Sequence, residues 1–396
     1  MERYRVFHSL NALRVCAEYC VVHYHVSPLG DGFLKNSAGA SALMSFFFVL
    51  SGFMAMHTNM DTDFSVPGAK EKYIYRRLQK VYPTYLIWIV LDTPGSVMYW
   101  WDLAIRGCPL TWVSLVSQPI LLHSWLGSYH AGTTNGVCWY LCTLFWLWFV
   151  FPFVIVKAKT HLESRPWTSI VCLYIVSMLC WGLLVPSVHS VNSRQFPPLR
   201  LCEFLMGCCV AFTLERPIIN GWWVVLSVSL LFAYWVVTYT QPDLWSMEDA
   251  PKGQVCQLWP TMQLQQPLNP TSFLSMFSIV FCLVVHWAAA NEQSGKGSSM
   301  LLQWDCFKTL STFSLHIYLS HVVVSTFLKV SFEQIGILDW WSTDTLILSC
   351  YLIAYMYSTA IEPRLLHWVG SFVVWSSPET SAINIELEPL HSCISD

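Results

Sequence analysis

Apolar residues run along this chain in stretches of about twenty, the length a helix needs to cross a lipid bilayer. Ten such stretches stand out, near 7–27, 38–57, 81–101, 137–156, 167–186, 199–214, 221–239, 272–290, 309–329 and 343–361. Another, 109–126, is short and interrupted by Pro109 and Pro119, which suits an interfacial or re-entrant segment better than a full crossing. The pattern predicts an all-α, polytopic membrane helix bundle of about ten transmembrane helices over residues 1–365. Residues 366–396 hold Glu379, Glu386, Glu388 and Asp396 and read as an acidic, disordered cytosolic tail.

The first stretch breaks its own pattern. It carries Asn11, Arg14, Glu18 and His25 where lipid-compatible residues are expected. With about 100° per residue and Arg14 at zero, Asn11 falls near 60°, Glu18 near 40° and His25 near 20°. His23 falls on the opposite face, about 180° away. His25 is about 16 Å further along the axis than Arg14. Ionisable groups at membrane depth are costly and face a partner, a bundle interior or a watery cavity, so function is sought along this stripe first.

Composition agrees with the pattern: 55% of residues are hydrophobic and 11% charged, far below the roughly 25% of soluble domains. A net charge of −3, with no basic arm or aromatic-basic module, gives no reason to expect nucleic acid. With a cytosolic N-terminus, the ten spans place 15 Lys and Arg inside, from Arg3 and Arg5 to Arg364, against 6 outside. That asymmetry follows the positive-inside rule and puts both termini in the cytosol. Counting 109–126 as a span would move Lys157, Lys159 and Arg165 outside, a poorer fit. No cleavable leader pattern precedes the first span.

Of the fifteen cysteines, eleven lie inside apolar stretches, where they act as small hydrophobes. No Cys/His spacing of a zinc site occurs, so no metal is expected. Cys108 and Cys256 both fall in predicted outer segments, where a disulfide and two free thiols are equally open.

Further polar insertions follow. The second span ends in Phe47-Phe48-Val49-Leu50-Ser51-Gly52-Phe53, a small pair after an aromatic run that permits close helix approach. Arg76, Arg77, Lys80 and Tyr82 lie in Tyr75-Arg76-Arg77-Leu78-Gln79-Lys80-Val81-Tyr82-Pro83 at the mouth of the third span. Arg77 and Lys80, three apart, share a helix face and suit either a phosphate-bearing ligand or lipid headgroups. Trp139 opens the fourth span, Arg200 and Glu203 have ion-pair spacing, and Tyr318 and His321 share a face of the ninth.

Together these stretches resemble the membrane-bound acyltransferase 3 family, the sugar O-acetyltransferase group, over most of the membrane region and in the right order. Leu10-Asn11-Ala12-Leu13-Arg14 with His25 is similar to its first-helix motif. Phe47 to Phe53 matches its second-helix motif, and Arg77-Leu78-Gln79-Lys80-Val81-Tyr82-Pro83 its basic motif. Trp139 to Pro152, Arg200 to Gly207 and Tyr318-Leu319-Ser320-His321 fall where later motifs belong. There are departures. Asn11 stands where Asp is usual, Val15 replaces a small residue, and Lys80 replaces an Arg and loses its bidentate fork. Leu144 and Phe145 stand where one branch has paired Glu residues. Glu18 is an addition, one turn from Arg14 and placed to pair with it.

The resemblance implies transfer of an acyl group, acetyl above all, from cytosolic acyl-CoA to a hydroxyl of a carbohydrate or lipid-linked acceptor across the membrane. His25 would be the base and Arg14 would hold donor phosphate or carbonyl, with Arg77, Lys80 and Arg76 meeting phosphates. Glu18, Ser51, Tyr82, Trp139, Arg200, Glu203, Tyr318 and His321 are carried as substrate or site-lining residues. Direct transfer and an acyl-histidine route are both open. Ten spans around a polar stripe equally suit a transporter or flippase, although no internal repeat is seen. A degenerate, inactive relative is a third reading. The acceptor and the host membrane, plasma membrane or endomembrane, carry no sequence code.

Overall fold

A computed structural model describes residues 7–26, 39–105, 116–125, 135–187, 195–216, 219–240, 277–295, 304–335 and 343–364. Cys108, Cys256 and the tail lie outside them. The elements are α1 (His8–Val26), α2 (Gly39–His57), α3 (Ala69–Ile105), α4 (Trp139–Ser164), α5 (Pro166–Ser187), α6 (Pro197–Thr213), α7 (Gly221–Thr240), α8 (Ser278–Gln293), α9 (Asp305–Thr312), α10 (Ser314–Ile335) and α11 (Thr343–Met356). Short 3-10 turns occupy His123–Trp125 and Gly136–Cys138, and a π turn, Tyr357–Ile361, extends α11. Among the described residues there is no strand.

Each predicted span coincides with a helix. Gly136–Ser164 and Asp344–Arg364 are long and apolar enough singly to cross a membrane, and α9 with α10 would make a third. The ninth span needs correction, because it is not one helix from 309. α9 and α10 meet at Phe313 and are bent by 65°. The Ser311 and Thr312 hydroxyls turn back to the Lys308 and Thr309 carbonyls, the competition with the backbone that bends helices. The 116–125 part of the proline-interrupted stretch is turns, with Gln118, His123 and Ser124 buried.

Contacts between the helices fix their directions. α1 and α10 run parallel, since Arg14, Glu18 and His25 meet Ser311, Ser314 and His321 at sequence offsets of 297, 296 and 296. α4 and α6 are parallel too, with Thr143 on Gln195 and Phe151 on Phe204. α2 lies parallel to α6, with Ser45 on Glu203 and Gly52 on Cys208. Opposed pairs are α1 with α2 (Phe7 on Phe53 and His57) and α3 with α4 (Lys70, Tyr73 and Arg77 on Phe153, Phe151 and Trp148). α3 likewise opposes α11 (Thr84 on Glu362, Trp88 on Tyr357), and α1 opposes α8 (Ser9 on Ala288 and Glu292). The start of α5 and the start of α7 meet the middle of α8 through Trp167–His286 and Gly221–Trp287, and the end of α5 meets the start of α6 through Trp181 and Arg200. Where paired contacts fix a direction, the long helices alternate along the chain.

Two devices hold this bundle together. The first N–H groups of a helix have no partner of their own, and a carboxylate suits that positive end. At α1 it comes from α8: Glu292 accepts from the His8 and Ser9 amides at 2.8 and 3.0 Å and from the Ser9 hydroxyl at 2.5 Å. The second device is a crossing of backbone on backbone. A Cβ on Gly52 would lie 1.8 Å from the Phe204 carbonyl oxygen, and one on Gly207 1.9 Å from that of Val49. Only glycine permits α2 and α6 to meet this closely.

Gly52→Ala and Gly207→Ala should each cost about 1–3 kcal/mol as overpacking, lowering the melting temperature in detergent by a few degrees. Gly221→Ala, whose added carbon meets only Trp287 Nε1 at 3.4 Å, should not. Equal melting of all three would contradict the crossing.

Candidate active site

The stripe on α1 faces the break between α9 and α10. Arg14 donates from Nη2 to the Ser311 carbonyl at 2.6 Å, near the C-terminal end of α9. Glu18, 2% exposed, accepts from the hydroxyl of Ser314, the first residue of α10, at 2.5 Å. The expected Arg14–Glu18 ion pair is thus replaced by two separate matches. The cation sits where a helix ends negative and the carboxylate where one begins positive. Arg14 Nε and Glu18 Oε1 remain buried without partners, so the seam keeps one donor and one acceptor in reserve. Further along it, His25 Nδ1 lies 3.2 Å from His321 Nε2. His25 is exposed and His321 fully buried.

A second wall closes on the seam from α2, α4 and α10. The Ser51 and Tyr140 hydroxyls are 3.3 Å apart, and Tyr140 lies in the field of Arg14. Tyr140 and Tyr318 meet edge to face at 5.5 Å, and the Tyr318 hydroxyl donates to the Val137 carbonyl. Buried Asn135 donates to the Leu319 carbonyl at 2.7 Å and its own carbonyl accepts from Gln118. Tyr85 and Tyr82 donate to the Gln118 and Pro119 carbonyls at 2.6 and 2.8 Å. These bonds tie 116–125 and 135–138 between α3 and α10. Leu121 sits there at a φ of 57°, and its carbonyl accepts from Trp146 Nε1 at 2.8 Å and Cys142 Sγ at 2.9 Å. Two donors on one carbonyl hold a conformation that costs a non-glycine residue energy.

The remaining predicted residues lie around this centre. Arg77 stacks over Tyr73 and Trp148 at 5.5 and 5.4 Å and borders a groove with Val81, Tyr82, Leu121 and Leu141. Arg76 and Lys80 are exposed, and Lys80 contributes its field at Glu362, so the shared face of Arg77 and Lys80 divides between two neighbours. Trp139 packs on Phe48 at 6.4 Å and its carbonyl takes the Ser124 hydroxyl. Arg200 and Glu203 form a buried ion pair at 2.9 Å, with Ser45 donating to Glu203 and the guanidinium against Phe48 and Trp181. They clamp α2, α5 and α6 behind the seam. Asn11 is half-buried, and its backbone N–H continues the first turn onto Phe7.

A family model described as an acyltransferase domain matches residues 7–374. The chain belongs to the acyltransferase 3 family. The match spans the seam, both walls and the basic start of α3. Among curated proteins, an acyltransferase of Streptomyces mycarofaciens, MdmB, is 26% identical over 263 residues, covering 60% of this chain. The match spans 65% of that relative's length. No solved structure matches.

Several residues of this candidate site carry no linear signal in the sequence. Ser311 and Ser314 flank the break and were legible only as small polar residues in a span. Tyr140 directly follows Trp139 at the opening of the fourth span. Gln118 lies within the 109–126 stretch and Asn135 just before the fourth span, and nothing linear says that they turn inward. No group of three or more metal-ligating side chains occurs among the described residues.

Arg200→Met strands a buried Glu203 carboxylate and should cost about 3–5 kcal/mol, as breaking one side of such a pair does. Adding Glu203→Gln should recover most of that in the same thermal unfolding experiment. A double variant as unstable as the single one would contradict the clamp.

Proposed function

We propose that this protein is an integral-membrane O-acyltransferase, moving an acyl group, acetyl foremost, from cytosolic acyl-CoA to a hydroxyl of a carbohydrate or lipid-linked acceptor on the far side. The observation that carries the reading is the α1–α10 seam, which strings Arg14, Glu18, His25 and His321 into one polar column. Alternation of the long helices whose directions the contacts fix supports ten crossings. Both termini then face the cytosol, with the basic start of α3 on the donor side.

The chemistry is assigned as follows. Arg77, with Arg76 and Lys80 nearby, receives donor phosphates at the mouth of the groove. The extended thioester arm lies along the seam, where the unpartnered Nε of Arg14 donates to it, and carries the thioester carbonyl on to His25. His25 takes the acceptor hydroxyl's proton as the oxygen attacks that carbonyl. The C–S bond breaks, the ester forms, and the CoA thiolate recovers the proton from the His25 imidazolium. Glu18 holds the break in the helix, and Tyr140 and Ser51 shape the wall. Tyr82, Trp139, Arg200, Glu203 and Tyr318 support that wall.

Purified protein incubated with radiolabelled acetyl-CoA and a panel of glycans and lipid-linked sugars should yield an acetylated product. His25→Ala should cut the rate by about 10²–10⁴ while the protein remains folded and monodisperse. Wild-type turnover in that variant would overturn the assignment of the base. Acceptor movement across vesicles without modification would replace the enzyme with a transporter. The absence of both would mark a degenerate relative.

A further inference from the structure

His321 is completely buried, yet it touches the exposed ring that the proposed mechanism uses as base. Its Nδ1 lies 3.1 Å from the Ile317 carbonyl, one turn back on α10, and its Nε2 lies 3.2 Å from His25 Nδ1. A carbonyl oxygen only accepts, so the Ile317 contact requires the proton on His321 Nδ1. A neutral imidazole carries one ring proton, which leaves His321 Nε2 as an acceptor. The facing His25 Nδ1 must then donate, and the lone pair of neutral His25 falls on Nε2, the nitrogen turned away from the pair.

We propose that His321 is a positioning residue that holds His25 in its Nδ1–H tautomer, so that Nε2 takes the acceptor's proton. The inference rests on the reading of His25 as the base. A histidine anchored on a carbonyl thus does for His25 what a buried carboxylate does in a serine-hydrolase triad, fixing orientation and tautomer. When His25 gains the proton, its Nδ1–H bond to His321 becomes charge-assisted and shortens. His321 keeps its own proton on Nδ1 throughout. Its place is fixed by the Tyr318 ring at 6.0 Å and by the Cys350 thiol, which points at its carbonyl from 3.6 Å. Buried His286 and His316 are engaged elsewhere, with Thr213 and Glu362. A competing acceptor exists, for the Val21 carbonyl, one turn back on α1, also faces the His25 ring.

The test compares His321→Phe, which keeps a ring and removes the acceptor, with His321→Gln, whose side-chain oxygen can accept from His25. Full-length protein in detergent is supplied with acetyl-CoA, and thiol release is followed with water and with octyl glucoside as acceptors. His321→Phe should lower kcat at least about 100-fold with KM for acetyl-CoA unchanged, by analogy with the loss on tautomer reversal in a triad. His321→Gln should stay within about tenfold of wild type. Gel filtration and melting establish that both are folded. In parallel, ¹⁵N spectra of histidine-labelled protein in vesicles should show His25 as the Nδ1–H tautomer in wild type and mixed in His321→Phe, whether or not an acceptor turns over.

Wild-type kcat or an unchanged tautomer in His321→Phe would show that Val21 suffices and would overturn the inference. Equal losses in the Phe and Gln variants would reduce His321 to packing, and a loss confined to KM would assign it to donor binding. His25→Ala separates the two claims. If it retains full activity, the base assignment itself fails. If it is dead while His321→Phe is active, only the positioning role falls.

Discussion

The structure turns on a broken helix and the charges that fit its two ends. Where α9 gives way to α10, the break leaves carbonyls at one end and amides at the other without partners in their own helix. α1 brings Arg14 to the carbonyl end and Glu18 to the amide end, one helical turn apart. A single charged residue would match the dipole of one half-helix and leave that of the other unmatched. This is why a second ionisable group belongs on α1 and why it does not neutralise the first. The break in turn sets the start of α10, and with it the register that carries His321 alongside His25.

The rest of the bundle serves to keep that seam in place. Glu292 of α8 pins the first turn of α1 by its amides, so the stripe cannot slide along its axis. α2 and α6, locked at Gly52 and Gly207 and braced by Arg200 and Glu203, hold the wall that brings Ser51 to Tyr140. The turns at 116–125 and 135–138 close the opposite side, with the carbonyls of Gln118, Pro119, Leu121, Asn135 and Val137 taken by Tyr85, Tyr82, Trp146, Gln118 and Tyr318. Irregular backbone is buried in a protein only when its polar groups find partners.

Much of this was legible because long apolar helices leave a simple trace. Twenty-residue runs gave the ten helices, and a 100° projection put Arg14, Glu18 and His25 on one face, as the contacts have it. What that projection lacks is the partner. Nothing in the run 309–329 marks a bend at Phe313, since Ser311, Thr312 and Ser314 read as ordinary small polar residues until their hydroxyls bond back to the chain. Arg14 and Glu18 one turn apart look like an ion pair for the same reason. Gln118, Asn135 and Tyr140 reach the site through tertiary contacts between elements far apart in sequence. Arg200 and Glu203 show the opposite case, because an i, i+3 spacing is local and the pair is where it was expected.

The proposed path for the acyl group would be seen most directly in a cryo-EM map of the protein with acetonyl-CoA, a thioether analogue that cannot transfer its acyl group. The account predicts the analogue's extended arm in the α1–α10 seam, within hydrogen-bond reach of Arg14, with its carbonyl facing His25 and its phosphates at Arg77. Density for the analogue elsewhere, with Arg14 and His25 untouched, would contradict it.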